Sequence, residues 1–142
     1  MRLLICRGSK IIALYLKNNR AKRMFLYSHG NEADIGQMFD LFIELSTHLC
    51  ITIMVYDYSG YRQSSSKRSD YNTYADIEVG YDYLKTQYVA KDEDLTIYGQ
   101  SIDSGPTVDL ASRLSNLKAV VLHNGIHFWS LSAESCQMLI LV

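Results

Sequence analysis

The 142-residue sequence predicts an α/β fold, a mostly parallel sheet with helices on both faces. Two observations carry that expectation. Short apolar, β-branched runs alternate with segments whose apolar residues recur every three or four positions. One of the runs, ITIMVY at 51–56, is nearly continuous, the pattern of a strand covered on both faces.

The elements follow in order. KIIALYL, at 10–16, reads as a strand, NNRAK turns the chain, and RMFLYS, at 23–28, reads as a second strand. HGNEAD is a polar loop. Ile35, Met38, Phe39, Phe42 and Leu45 then share one face of a helix. ITIMVYDYS is the third strand, and GYRQSSSKRSD a loop. Asn72 or Thr73 is placed to cap a second helix, with Tyr74, Ile77, Tyr81, Leu84 and Tyr88 on one side. DLTIYG is the fourth strand. Pro106 stands near the first turn of the helix GPTVDLASRL, where its missing N–H matters little. KAVVLH, at 118–123, reads as the last strand.

Composition narrows the function. The chain is 48% hydrophobic and 20% charged, with a net charge of −1, which fits one globular domain and gives no basic field for nucleic acid. Cys6, Cys50 and Cys136 form neither a disulfide framework nor a zinc site, and Cys50 is expected as a small buried hydrophobe. No apolar run reaches the roughly 18 residues of a membrane span. MRLLIC is too short for a signal peptide, so a cytoplasmic protein is expected. Glu32 and Asp34 are assigned to the N-terminus of the following helix and not to a metal, and no cofactor is expected. Neither Gly-x-Gly-x-x-Gly nor Gly-x-x-x-x-Gly-Lys occurs.

In such sheets chemistry gathers at the carboxyl ends of the strands. Three ends carry YSHGN, YDYSGY and YGQSID. The last places Ser101 between a strand and a helix, the position of a nucleophile elbow. The N–H of Ile102 would then face a substrate oxyanion, with a second N–H from Asn31 in the earlier loop.

LYSHGNEADIGQMFDLFIELS, YDYSGYRQSS, NTYADIE and IYGQSIDSGPTVDLASRL, with KAVVLH, resemble the α/β-hydrolase domain-containing protein 17 family, its plant members most closely. The resemblance implies the N-terminal part of an α/β-hydrolase fold over residues 1–124, followed by a divergent tail at 125–142. Family members are serine hydrolases, and the animal ones remove palmitoyl groups from protein cysteines. By resemblance Ser101 is the nucleophile position. His29, Gly30 and Asn31 form the oxyanion loop, and Asp57, Tyr58, Gly60 and Tyr61 belong to the loop facing the site. The implied substrate is an acylated protein or a small acyl ester. The implied address includes the periphery of membranes, although the family's cysteine-rich leader has no counterpart in this sequence.

The sequence departs from the family pattern at Asp103 and at Arg62, where the family has glycine, and at Asn124. Asp103 brings a carboxylate close to where an oxyanion forms. In the family the acid and the histidine of the triad lie beyond the last matched strand. This chain ends at Val142, and its later histidines are His123 and His127, its last acid Glu134. Two expectations follow: a serine hydrolase acting on acyl thioesters, or a non-catalytic remnant or pseudoenzyme, a truncated gene product with at most a binding role. The strand at 118–123 is expected to lack its outer partner, and so to favour self-association.

Overall fold

The computed structural model describes residues 2–6, 9–30, 35–58, 70–101, 104–123 and 137–141. Its strands are β1 (Arg2–Cys6), β2 (Ser9–Leu16), β3 (Arg23–Ser28), β4 (Ile51–Tyr56), β5 (Leu95–Gln100), β6 (Ala119–His123) and β7 (Gln137–Leu141). Its helices are α1 (Phe39–Leu49), α2 (Asp70–Gln87) and α3 (Ser104–Ser112). The strands form one sheet in the order β1-β2-β4-β3-β5-β6-β7. β1 and β2 run antiparallel to their neighbours, and β4, β3, β5, β6 and β7 are mutually parallel.

The helices divide between the two faces. α2 and α3 pack together over one cluster that includes Leu26, Met54, Tyr56, Ile77, Leu84, Ile97 and Leu122. α1 lies on the other face, where Phe42 meets Tyr27, Ile53 and Val55. Alternate residues of β3 and β4 thus enter opposite clusters, as the two-residue strand period requires. This is why ITIMVY is buried at every position.

Gly80 lets α2 approach the sheet. A Cβ there would stand 3.1 Å from Leu26 Cδ1 and 3.4 Å from the Tyr56 ring. Leu26 and Tyr56 are fully buried, and the Tyr56 hydroxyl is hydrogen bonded to Ser28 Oγ at 2.7 Å. Neither has room to retreat.

Several expectations change. The strand at 118–123 is not an open edge. β7 pairs along it, from Ala119 opposite Gln137 to His123 opposite Leu141. The apolar run QMLIL pairs with the backbone of β6, so β7 is the outermost strand among the described residues. β1 was not expected as a strand. It forms a hairpin with β2 and adds the opposite edge. The second helix starts at Asp70, so Asn72 and Thr73 lie within it and do not cap it. An acidic residue at that end suits the helix dipole. Ile35 and Met38 precede α1 in a turn, and Phe39 is 41% exposed.

Cys50 is exposed, not buried. Its φ of 50° is left-handed, and its N–H closes α1 on the Ser46 carbonyl. The chain enters β4 at the next residue, so the reversal must happen at this one position. Ser46 Oγ donates to the Ile51 carbonyl at 2.8 Å and fixes the junction.

Tyr81 lies on α2 and donates to Asp92 Oδ1 at 2.8 Å. Burial, then the bond and charge of Asp92, push its phenol up to about 12. Burial also raises Tyr15, Tyr27 and Tyr98 above the usual phenol range.

Two outcomes are expected. Gly80→Val overpacks the Leu26–Tyr56 contact and costs about 1–3 kcal/mol, read as a lower urea midpoint at unchanged m. Between pH 10 and about 12 the unfolded chain has lost tyrosine protons that the folded one retains. Stability therefore falls as pH rises through that window. Thermal melts should show the decline, and it should be shallower in Tyr81→Phe.

Candidate active site

β5 delivers Ser101 to the carboxyl end of the sheet, and α3 begins three residues later. Ser101 has a φ of 58°. A side chain in this left-handed region costs about 1–3 kcal/mol and persists only where its surroundings impose it. Here a strand must end and a helix must begin within three residues, both anchored by buried side chains such as Ile97 and Pro106. Ser101 is half-buried at the tip of that turn.

The end of β3 comes directly alongside. A Cβ on Gly30 would lie 3.7 Å from the Ser101 Cβ and 3.5 Å from the Gln100 side chain. The Gly30 N–H points to Gln100 Oε1 at 3.5 Å, and Tyr27 Oη reaches the same oxygen at 3.4 Å. Both are long, weak bonds. The loop after β3 is held more firmly from β4. His29 is fully buried, with Nε2 3.1 Å from Asp57 Oδ1 and Nδ1 2.9 Å from the Gly30 carbonyl. Asp57 Oδ1 also accepts the Ile35 N–H at 3.2 Å. Tyr58 Oη donates to the His29 carbonyl at 3.2 Å. One carboxylate therefore ties together the residues at both ends of the 31–34 segment.

Both ring nitrogens of His29 lie within hydrogen-bond distance of an acceptor oxygen, and a neutral imidazole donates to only one of them. After Ser101 the described residues contain one histidine, His123, and one carboxylate, Asp109. His123 Nδ1 lies 2.7 Å from Tyr98 Oη, and the Asp109 carboxylate pairs with Arg113 at 2.9 Å. The base and acid of a triad are not assembled among the described residues. These residues also contain no cluster of three or more His, Cys, Asp or Glu able to hold a metal ion.

The structure thus brings together Ser101, His29, Gly30, Asp57 and Tyr58. Asn31, Gly60, Tyr61, Arg62, Ile102, Asp103 and Asn124 lie outside the described residues, as do His127 and Glu134. The sequence reading overlooked Gln100 and the Tyr27–Tyr98 stack beneath it, whose ring centroids are 4.3 Å apart. A polar residue closing an otherwise apolar strand was the available signal for Gln100.

The arrangement, a mostly parallel sheet with helices on both faces and with Ser101 at a left-handed strand-to-helix turn beside Gly30 of the neighbouring strand, is that of a partial α/β-hydrolase fold. Solved structures agree on the fold. An α/β hydrolase from Vibrio vulnificus superposes with a TM-score of 0.76 at 16% identity, covering 87% of this chain and 44% of that one. The ferulic-acid-bound Est1E of Butyrivibrio proteoclasticus gives 0.73 at 15% identity, covering 88% and 53%. No family model matches the sequence. Curated relatives do. Alpha/beta hydrolase domain-containing protein 17B is 44% identical over 119 residues in Xenopus tropicalis and 43% identical over 119 residues in Homo sapiens. The 17C protein of Mus musculus is 48% identical over 99 residues. The chain belongs to the α/β-hydrolase domain-containing protein 17 family. Its match covers 83% of the chain and 41% of the human 17B protein. No described helix is long and apolar enough to cross a membrane.

Removing the loop tie should be expensive. Asp57→Ala leaves the buried His29 and the Ile35 N–H without their acceptor, with an expected loss of about 2–4 kcal/mol by denaturant unfolding. Asp57→Asn keeps one acceptor oxygen and should lose less.

Proposed function

We propose that this chain carries the nucleophile end of a serine hydrolase acting on acyl thioesters, with an acylated protein or a small acyl ester as the ligand class. Ser101 is the nucleophile position, and the N–H groups of Asn31 and Ile102 are the oxyanion donors. The observation that supports this most is the left-handed Ser101 in van der Waals range of a Gly30 side-chain position. Such strain at a strand–helix turn exposes a hydroxyl above a helix N-terminus, where negative charge is favoured. The resemblance in sequence supports the acyl class. No membrane partner is assigned.

The chemistry would be attack of Ser101 Oγ on the acyl carbonyl, with the serine proton passing to a base and the thiolate leaving. That base is what the described residues do not offer. A second reading, a non-catalytic relative that only binds, is favoured by the engagement of His123 with Tyr98 and of Asp109 with Arg113. Asp103, by its charge, weighs the same way.

A serine-directed fluorophosphonate separates the two. The purified chain should label no faster than Ser101→Ala, because loss of triad members lowers rates by roughly 10⁴ to 10⁶. Stoichiometric labelling at Ser101 within minutes would show a working base in this chain and decide for the catalytic reading.

A further inference from the structure

His29 is fully buried between two oxygens. Its Nε2 lies 3.1 Å from Asp57 Oδ1, and its Nδ1 lies 2.9 Å from the Gly30 carbonyl oxygen. A carbonyl oxygen has no proton to give, and an ionised carboxylate only accepts. Asp57 Oδ1 already accepts the Ile35 N–H at 3.2 Å. A neutral imidazole has one N–H and one bare lone pair. In either tautomer that lone pair would face an oxygen at one of these two short distances. Only the imidazolium has an N–H for each.

Two effects compete on the ring. Burial alone disfavours the cation. The carboxylate at 3.1 Å favours it, and a charge-assisted bond is roughly twice as strong as a neutral one. The Asp57 side chain is 16% exposed, so the pair keeps some contact with water and its desolvation is incomplete. Tyr58 also faces the ring, with centroids 5.3 Å apart, but its phenol donates its proton to the His29 carbonyl and brings no charge. Asp76 on α2 is a fully buried carboxylate, and its sign also favours a cation in the core.

We propose that His29 is held as an imidazolium at neutral pH, donating from Nε2 to Asp57 and from Nδ1 to the Gly30 carbonyl, and that in this form it is a positioning residue for the oxyanion loop. The route is the peptide unit that follows Gly30. A peptide unit is planar and trans, so its N–H points opposite to its C=O. A carbonyl pinned by the ring therefore fixes the direction of the next N–H, that of Asn31. The ring's charge polarises the same unit and strengthens it as a donor. The positioning role rests on the assignment of Asn31 as an oxyanion donor. The charge state of His29 does not.

The test is NMR of the full chain labelled with nitrogen-15 and carbon-13, reading the imidazole rings from about pH 6 to about pH 9. The sequence has four histidines. His48→Gln, His123→Gln and His127→Gln each remove one ring signal, which assigns His29 without touching it. A free imidazole is about one-tenth protonated near pH 7.5. His29 should be at least about half protonated there, with protons on both nitrogens. The Gly30 carbonyl carbon and the Asn31 amide should shift with the same midpoint as the ring. The unfolded chain releases this proton near pH 6.5 and the folded chain at higher pH, so stability should fall between the two. In Asp57→Asn the ring should carry a single proton near pH 7.5 and that decline should flatten. A singly protonated His29 in the parent near pH 7.5 overturns the proposal, whichever nitrogen bears the proton. A ring still doubly protonated in folded Asp57→Asn overturns the pairing. If Gly30 and Asn31 do not follow the ring, the positioning role is overturned. Should Asp57→Asn fail to fold, the parent spectra decide alone. Fluorophosphonate labelling of Ser101 is read separately, so a failed hydrolase reading leaves these signals unchanged.

Discussion

The sheet changes direction at β3, and the rest of the molecule follows from that. β3 lies between β4 and β5. The chain leaves β3, crosses one face as α1 and returns as β4 on one side. It then crosses the other face as α2 and returns as β5 on the other side. Right-handed crossovers in opposite directions must use opposite faces. Sites in such sheets form where the strand order reverses, and Gly30 and Ser101 stand there in van der Waals range of one another, one after each strand.

These two positions must hold their place relative to one another. Backbone strain at Ser101 is tolerable because both flanking elements are anchored in the core. The end of β3 is held by polar contacts. His29 is buried without exposure, and its N–H finds an acceptor in Asp57 Oδ1 or the Gly30 carbonyl. The Ile35 N–H shares the same carboxylate. The end of β3 is thus tied to the end of β4 by polar contacts, beside the strained backbone of Ser101.

Much of this could be read in the sequence, and the failures have physical reasons. β3 was placed at its observed bounds because RMFLYS is short and flanked by turns. ITIMVY announced its two-sided burial by its continuity. Ser101 and the HG loop were legible because each combines a chemical residue with a strand end. What misled was residue character judged without neighbours. Cys50 looked apolar, but its position at a helix–strand junction required a left-handed backbone at the surface. KAVVLH looked like an unpaired edge because the partner strand is separated from it by a stretch without strand-like pattern. Pairing with QMLIL depends on long-range contact, which local periodicity does not encode. The His29–Asp57 tie joins residues 28 positions apart, and only the fold brings them together.

The reversal at β3 also explains why the two ends of the sheet differ. Each step toward β5 and β6 in the right-handed sense crosses on the face of α2 and α3. The only described crossing on the other face is the single step from β3 to β4, and α1 makes it. Among the described residues, the α1 face therefore has one helix for a sheet of seven strands. At the carboxyl ends, Tyr27, Tyr98, Gln100 and His123 occupy that face with rings and polar groups bonded to one another. At the amino ends the same columns carry Phe25, Thr96 and Val121, with lysines and arginines at the margin. Parallel strands are stable when both faces are covered. The polar end covers itself with its own hydrogen-bonded side chains.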